Sequence, residues 1–151
     1  MIDVNVFNRK EKMLYLSRYL LIKERILILM ERKKAYQDSI YGIKSPNLDG
    51  MPHGGAKSDI SDKVIRCITI TNDIDAEMNL LCGKLDRIKK VIGNLADYNE
   101  RSIIEMKYID GLSYKHIKSM TGASQKTMER RLSNALINLV VSNDDFKDAM
   151  S

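Results

Sequence analysis

Four polar side chains in the last third of the chain, Gln125, Lys126, Glu129 and Arg130, have the chemistry needed to read DNA bases. Glutamine can pair with adenine through two hydrogen bonds, arginine or lysine with guanine, and glutamate with the amino group of cytosine. Their spacing places them on the outward face of a helix whose inward face includes Met128. The alternative is an ordinary solvated helix surface. The predicted structure around these residues distinguishes a base-reading face from such a surface.

A second set of polar residues surrounds these four and is suited to phosphate groups. Between residues 113 and 134 there are five basic residues and one acidic residue, which gives a local charge of +4. The DNA backbone attracts such an excess, although a charged helix face is more often simply solvated. The residues predicted to contact the DNA backbone are Ser113, Tyr114, Lys115, Ser124, Thr127, Arg131, Ser133 and Asn134.

Three short helices separated by turns are predicted to position these residues. The first covers residues 96–109 and ends near Gly111, since glycine commonly terminates a helix. Ser113 caps a short second helix, Gly122 provides a tight turn, and Ser124 caps the third helix. This succession indicates a helix-turn-helix, whose third helix enters the major groove. The apolar residues predicted to face its core are Ile103, Ile104, Met106, Tyr108, Ile117, Met120, Met128, Leu132, Ala135, Leu136 and Leu139.

Two longer segments, residues 10–43 and about 58–92, precede the predicted helix-turn-helix. In both, apolar residues recur at alternating steps of four and three, which is the seam of a coiled coil. The first seam comprises Tyr15, Tyr19, Ile22, Ile26, Leu29, Lys33, Tyr36 and Ile40. The second comprises Ile60, Val64, Cys67, Thr71, Ile74, Met78, Leu81, Leu85, Ile88 and Ile92. Residues 44–59 between them hold both prolines and a Gly-Gly pair, so they are predicted to form a loop.

The sequence therefore predicts an all-α protein. It consists of a long antiparallel helical hairpin (residues 1–93, coiled coil), a helix-turn-helix domain (94–141) and an acidic tail (142–151). The apolar stripes are wider than one hairpin can cover, so we expect a homo-oligomer formed through the coiled coil.

Catalysis, metal binding and membrane insertion find little support in the sequence. The only histidines, His53 and His116, belong to no recognisable nucleophile–base motif, so neither an enzymatic activity nor a cofactor is expected. Cys67 and Cys82 lack a CxxC pair, which indicates reduced thiols rather than a metal site. Neither a signal peptide nor a transmembrane stretch is recognisable, so the expected location is the cytoplasm.

The stretch MKYIDGLSYKHIKSMTGASQKTMERRLSNAL, residues 106–136, resembles region four of bacterial sigma factors. The shared features are the Lys-Tyr pair at 107–108, Gly-Leu-Ser-Tyr at 111–114, the turn and cap at 121–124, and Arg-Leu-Ser-Asn-Ala-Leu at 131–136. His116 stands where the family often has an acid, and Lys118 stands where it prefers a small residue. The resemblance implies that this part of the chain binds double-stranded DNA.

No counterpart of the sigma-factor regions that bind the core polymerase is recognisable. The whole layout is instead similar to small sigma-like regulators of phages and prophages of Gram-positive bacteria, the RinA and ArpU type activators of late genes. Those proteins often pair an N-terminal helical segment and an Asp-Gly-Met-Pro loop, here residues 49–52, with a region-four-like unit. The resemblance implies an activator of late genes that acts with the host RNA polymerase.

Two other classes of function fit the same elements. A phage DNA-packaging protein, such as a terminase small subunit, also combines a helix-turn-helix with helical oligomerisation. An adaptor that binds RNA polymerase would use the region-four-like unit to contact protein. Such an adaptor has no need of base-reading groups at Gln125, Lys126 and Arg130, whereas a ring of many subunits would favour packaging.

Overall fold

A computed structural model describes residues 7–44 and 56–151, and these residues form helices and turns without any β-strand. The helices are α1 (Arg9–Lys44), α2 (Ala56–Gly93), α3 (Tyr98–Ile104), α4 (Tyr114–Thr121), α5 (Gln125–Asn138) and α6 (Asn143–Met150). A π-helical turn, Glu105–Ile109, directly continues α3. The predicted all-α class is confirmed. Most of the predicted loop 44–59 lies outside the described residues, but α2 already begins within it, at Ala56.

The predicted seams of α1 and α2 coincide with their least exposed faces. On α1, Tyr15, Tyr19, Ile22 and Leu29 are all buried, and the other predicted seam residues are half-buried. On α2, Thr71, Ile74, Ile88 and Ile92 are buried, whereas Ile60 is exposed. Alternating steps of four and three keep these positions on one side of each helix, which is the side that packs.

The chain divides into two compact units. The terminal unit contains Met1–Glu24 and Gly83–Ser151, and the middle unit contains Arg25–Cys82. These units cut across the predicted segments 1–93, 94–141 and 142–151, because the first turns of α1 and the last turns of α2 pack with the C-terminal helices.

The middle unit pairs apolar and charged residues of the two long helices. Leu29 and Ile74 are buried there. Arg25 Nη2 lies 3.2 Å from Glu77 Oε1, and Lys33 Nζ lies 2.7 Å from Asp75 Oδ1. Lys33 is the one charged residue of the α1 seam, and its ion pair with Asp75 explains how the seam tolerates it.

The terminal unit is built around α5, against which α3 and α4 pack. The predicted core residues of α3 and α5 are buried, as are Tyr108 of the π-helical turn and Ile117 of α4. The prediction for Met120 is wrong, since its side chain is 64% exposed. Because α4 has only eight residues and anchors itself through Ile117, Met120 in its last turn lines a surface cleft instead.

The acidic segment 142–151 forms α6 and packs within the terminal unit. Ser142 caps α6, and the ring of Phe146 stacks on Phe7 with 4.4 Å between the centroids. Two carboxylates of α6, Asp145 and Asp148, form ion pairs of 3.4 and 3.3 Å with Arg87 of α2. The acidic charge of this segment therefore attaches it to a basic residue of α2.

Tyr15 carries a buried polar atom that has no partner among the described residues. The side chain is fully buried, and its hydroxyl makes no hydrogen bond. Burial raises the pKa of Tyr15 above the usual tyrosine range, and the nearby carboxylates of Asp145 and Asp148 raise it further.

Replacing Tyr15 with Phe is expected to raise the free energy of unfolding by about 1 kcal/mol, because it removes an unsatisfied buried hydroxyl and keeps the ring. Urea unfolding at neutral pH measures this difference, and Tyr19→Phe is the matched control. The prediction would be contradicted if Tyr15→Phe lowered the free energy of unfolding by about 1 kcal/mol while Tyr19→Phe left it unchanged.

The same variant has an expected pH dependence. Above pH about 10 an unfolded tyrosine loses its proton while buried Tyr15 keeps it, so the stability of the wild-type protein falls as the pH rises. Tyr15→Phe should lose stability less steeply over that range.

Candidate nucleic-acid interface

Two capped helices joined by a glycine turn form the centre of the candidate interface. Ser113 Oγ accepts a hydrogen bond from the His116 amide at 3.3 Å, and Ser124 Oγ accepts one from the Thr127 amide at 3.2 Å. Between the helices, Gly122 has a φ of +70°, and its amide donates to the Lys118 carbonyl at 2.8 Å. Both serine caps and the glycine turn are where the sequence predicts them.

The helix that precedes this pair ends differently from the prediction. The sequence predicts one helix over residues 96–109, but α3 begins at Tyr98, and its α-helical part ends at Ile104. The following π-helical turn closes with a bond from the Asp110 amide to the Glu105 carbonyl, 2.9 Å. Residue types alone gave no signal for this wider turn.

The four predicted base-reading residues, Gln125, Lys126, Glu129 and Arg130, are all exposed. They occupy the first two turns of α5, whose inward face is buried through Met128 and Leu132. Gln125 Nε2 donates to Glu129 Oε1 at 3.2 Å, so these two side chains lie together on the surface. The structure therefore brings all four residues into one accessible surface at the start of α5, which we call the α5 face.

The predicted backbone-contacting residues divide into exposed and half-buried groups. Exposed are Ser113, Lys115, Ser124 and Asn134, and half-buried are Tyr114, Thr127, Arg131 and Ser133. The hydroxyls of Ser124 and Thr127 lie 3.0 Å apart, so Thr127 belongs to the cap of α5.

Arg131 does not share the α5 face. At about 100° per residue, Arg130 lies at the edge of the α5 face and Arg131 lies a further 100° round the helix, outside that face. Arg131 lines a surface cleft of about 550 Å³ together with Tyr98, Met106 and Met120. This position favours contacts other than those of the α5 face.

One basic residue of the region was missed by the sequence analysis. Lys107 Nζ lies 3.9 Å from the centroid of the Tyr114 ring, which is a cation–π contact. Lys107 thereby adds a positive charge beside Tyr114 at the start of α4. The sequence separation of seven residues across a turn gives no hint of this contact.

Tyr108 sits beneath this part of the surface. Burial raises the pKa of Tyr108, the nearby Tyr114 raises it further, and the positive charge of Arg9 opposes that rise.

Comparison with known proteins gives one family. A family model described as a protein of unknown function (DUF1492) matches residues 42–140, which is more than half of the chain. No curated protein and no solved structure shows a significant match.

The described residues, 7–44 and 56–151, also bear on metal binding and membrane insertion. No group of three or more histidine, cysteine, aspartate or glutamate side chains that could hold a metal ion occurs in these two stretches. Within the same stretches, no helix combines the length and the apolar character needed to cross a membrane.

Two glycines allow a matched test of the turn between α4 and α5. Gly122→Ala is expected to destabilise the protein by about 1–2 kcal/mol, because a side chain is unfavourable at a φ of +70°. Gly83→Ala, inside α2 with nothing within 4 Å of the added methyl group, is expected to stabilise it by about 0.5–1 kcal/mol. Thermal or urea unfolding of both variants measures the difference, and equal effects would show that the turn does not require glycine.

Proposed function

The chain belongs to the DUF1492 family, whose description assigns no function, and we propose that it is a sequence-specific DNA-binding regulator of transcription. In this proposal α4 and α5 are the two helices of a helix-turn-helix. The start of α5 enters the major groove, and α4 contacts the flanking backbone.

The observation that carries this proposal is the composition and exposure of the α5 face. Its four residues, Gln125, Lys126, Glu129 and Arg130, are all exposed, and each is of a type that pairs with a base edge. The opposite face of the same helix is buried through Met128, Leu132 and Leu136. The orientation of α5 is thus fixed by its core, and the polar face remains accessible.

The charge around the α5 face supports the same function. Lys115 and Lys118 on α4 and Lys126 and Arg130 on α5 are exposed, and Glu129 is the one acidic residue in 113–134. Exposed cations on two adjacent helices suit the phosphates on either side of a groove.

The finer assignment rests on the resemblance to region four and to phage-encoded regulators. On that basis we propose an activator of phage or prophage late genes of the RinA and ArpU type, acting in the cytoplasm with the host RNA polymerase. The N-terminal part is then an antiparallel hairpin. The ion pairs Arg25–Glu77 and Lys33–Asp75 support an antiparallel arrangement. The later residue on α1 pairs with the earlier residue on α2, as two helices running in opposite directions require.

A polymerase-binding adaptor is the second candidate, and a specific cleft favours it. The cleft is the one that Arg131 also lines. Tyr98 and Met120 line it and are 72% and 64% exposed, and the flexible apolar side chain of Met106 lines it as well. Such surfaces adapt well to apolar residues of a protein partner. None of the four residues of the α5 face lines this cleft, so a DNA contact and a polymerase contact would use different side chains.

Arg130 provides the test of base reading. A duplex is first selected from a random pool with the wild-type protein, and binding to it and to a scrambled duplex is then measured at one salt concentration. Arg130→Ala should lose about 1–3 kcal/mol on the selected duplex and much less on the scrambled one, because a lost base contact affects only the cognate sequence.

Arg32→Ala is the control for this experiment, since Arg32 is an exposed arginine of the middle unit. It should bind both duplexes as the wild type does. Equal losses of Arg130→Ala on both duplexes would remove Arg130 from the base-reading set. Failure to enrich any sequence would contradict sequence-specific binding and favour the adaptor.

Self-association through the middle unit is a separate expectation. Leu27, Met30, Ile65 and Leu80 are each more than half exposed there, and such residues favour contact with a second copy of the chain. Sedimentation at micromolar concentration should show at least a dimer, and Leu80→Asp should shift it towards monomer. Asn79→Asp, an exposed neighbour, should not. A monomeric wild-type protein would contradict this expectation.

A further inference from the structure

The first turn of α1 is attached to the end of α5. Lys12 is buried, and its Nζ donates to the carbonyl oxygens of Leu136 at 2.8 Å and Ile137 at 3.4 Å. Carbonyls in the last turn of a helix lack partners within the helix, so this ammonium group satisfies two of them. The bond fixes where the start of α1 lies along α5.

Arg9 lies one turn before Lys12 and shares a surface cleft with Ser133 of α5. Its side chain is exposed, and within the described part of the chain it forms no ion pair. Its charge also acts on Tyr108, beside Tyr114. The shared cleft places Arg9 close to Ser133, which is predicted to contact the DNA backbone.

The residues before Arg9 are held in place by α6. Phe7 stacks on Phe146 at 4.4 Å with an interplanar angle of 15°, and Asn8 Oδ1 accepts from the Glu11 amide at 2.9 Å. α6 is itself attached to α1, since Arg18 Nε donates to the Ala149 carbonyl at 3.0 Å. Arg9 thus extends from a fixed turn of helix.

We propose that Arg9 binds a DNA phosphate beside Ser133, and that α6 is the element that positions it. This inference rests on the proposed function, because it extends the DNA contact from α4 and α5 to the N-terminal end of α1. An exposed guanidinium group suits a phosphate through two parallel hydrogen bonds. The contact lies outside the region that resembles sigma factors.

The test is the salt dependence of binding to the selected duplex. Arg9→Ala should reduce the slope of log affinity against log salt by about 0.9, the value for one lost phosphate contact. The affinity ratio of wild type to variant should therefore grow about 3-fold between 200 and 50 mM salt. Arg9→Lys should keep most of the slope because it keeps the charge, and Arg32→Ala should keep all of it.

The outcomes separate this inference from the proposed function. If Lys115→Ala lowers the slope and Arg9→Ala does not, the phosphate contact of Arg9 is wrong while DNA binding stands. If the wild-type protein shows no salt-dependent DNA binding, both proposals are wrong. Urea unfolding of Arg9→Ala should match the wild type, since its exposed side chain makes no ion pair within residues 7–44 and 56–151.

Phe146→Leu tests the positioning role of α6. Phe146→Leu removes the ring stack with Phe7, so it should reduce the slope of log affinity against log salt, as Arg9→Ala does. The double variant, Arg9→Ala with Phe146→Leu, should have the same slope as Arg9→Ala alone. The measurement is made where circular dichroism shows the variant to be folded. An unchanged slope in folded Phe146→Leu, or an additive loss in the double variant, would overturn the role assigned to α6.

Discussion

The buried apolar face of α5 is the constraint on which the rest of the terminal unit depends. Met128, Leu132, Leu136 and Leu139 are almost inaccessible to solvent, and α3 and α4 pack against this helix. Burying these side chains is the main favourable contribution to folding here, and it leaves α5 a single orientation. Because the apolar side of α5 is buried against α3 and α4, its opposite side, the α5 face, is directed to the solvent. The bonds from Lys12 to the last carbonyls of α5 then attach α1 to the same helix.

Much of this arrangement follows from local patterns in the sequence. Steps of four and three predicted the buried side of α1 and α2, because helical periodicity places those residues on one face whatever the partner. Ser113, Gly122 and Ser124 predicted the boundaries of α4 and α5, because caps and left-handed turns depend on a few adjacent residues. The exposure of the four residues of the α5 face could be predicted for the same reason. Their helix, its start and its buried side could all be recognised from nearby residues.

The features that the sequence did not reveal depend on contacts between distant segments. Met120 has the spacing of a core residue, but α4 is too short to bury a second side chain beside Ile117. Arg131 lines a cleft together with Tyr98 of α3, a neighbour that its position in the sequence does not reveal. Residues 142–151 are predicted from their charge as an acidic tail, whereas in the structure Phe146 and Ala149, three positions apart, form the apolar side of α6. Contacts with Phe7, Arg18 and Arg87 hold α6 in place, and all three residues are distant from it in sequence.

The bond between Lys12 and Leu136 joins residues 124 positions apart in sequence. On a ribosome that adds about 5–20 residues per second, roughly 6–25 s separate the synthesis of these two residues. During that interval Tyr15 and Leu16, fully buried in the finished protein, have no C-terminal helices to cover them. A fold with such distant contacts also closes slowly once the chain is complete. The first helix to be synthesised is therefore among the last to reach its final environment, and its apolar side is available to chaperones and proteases for longer than that of α5.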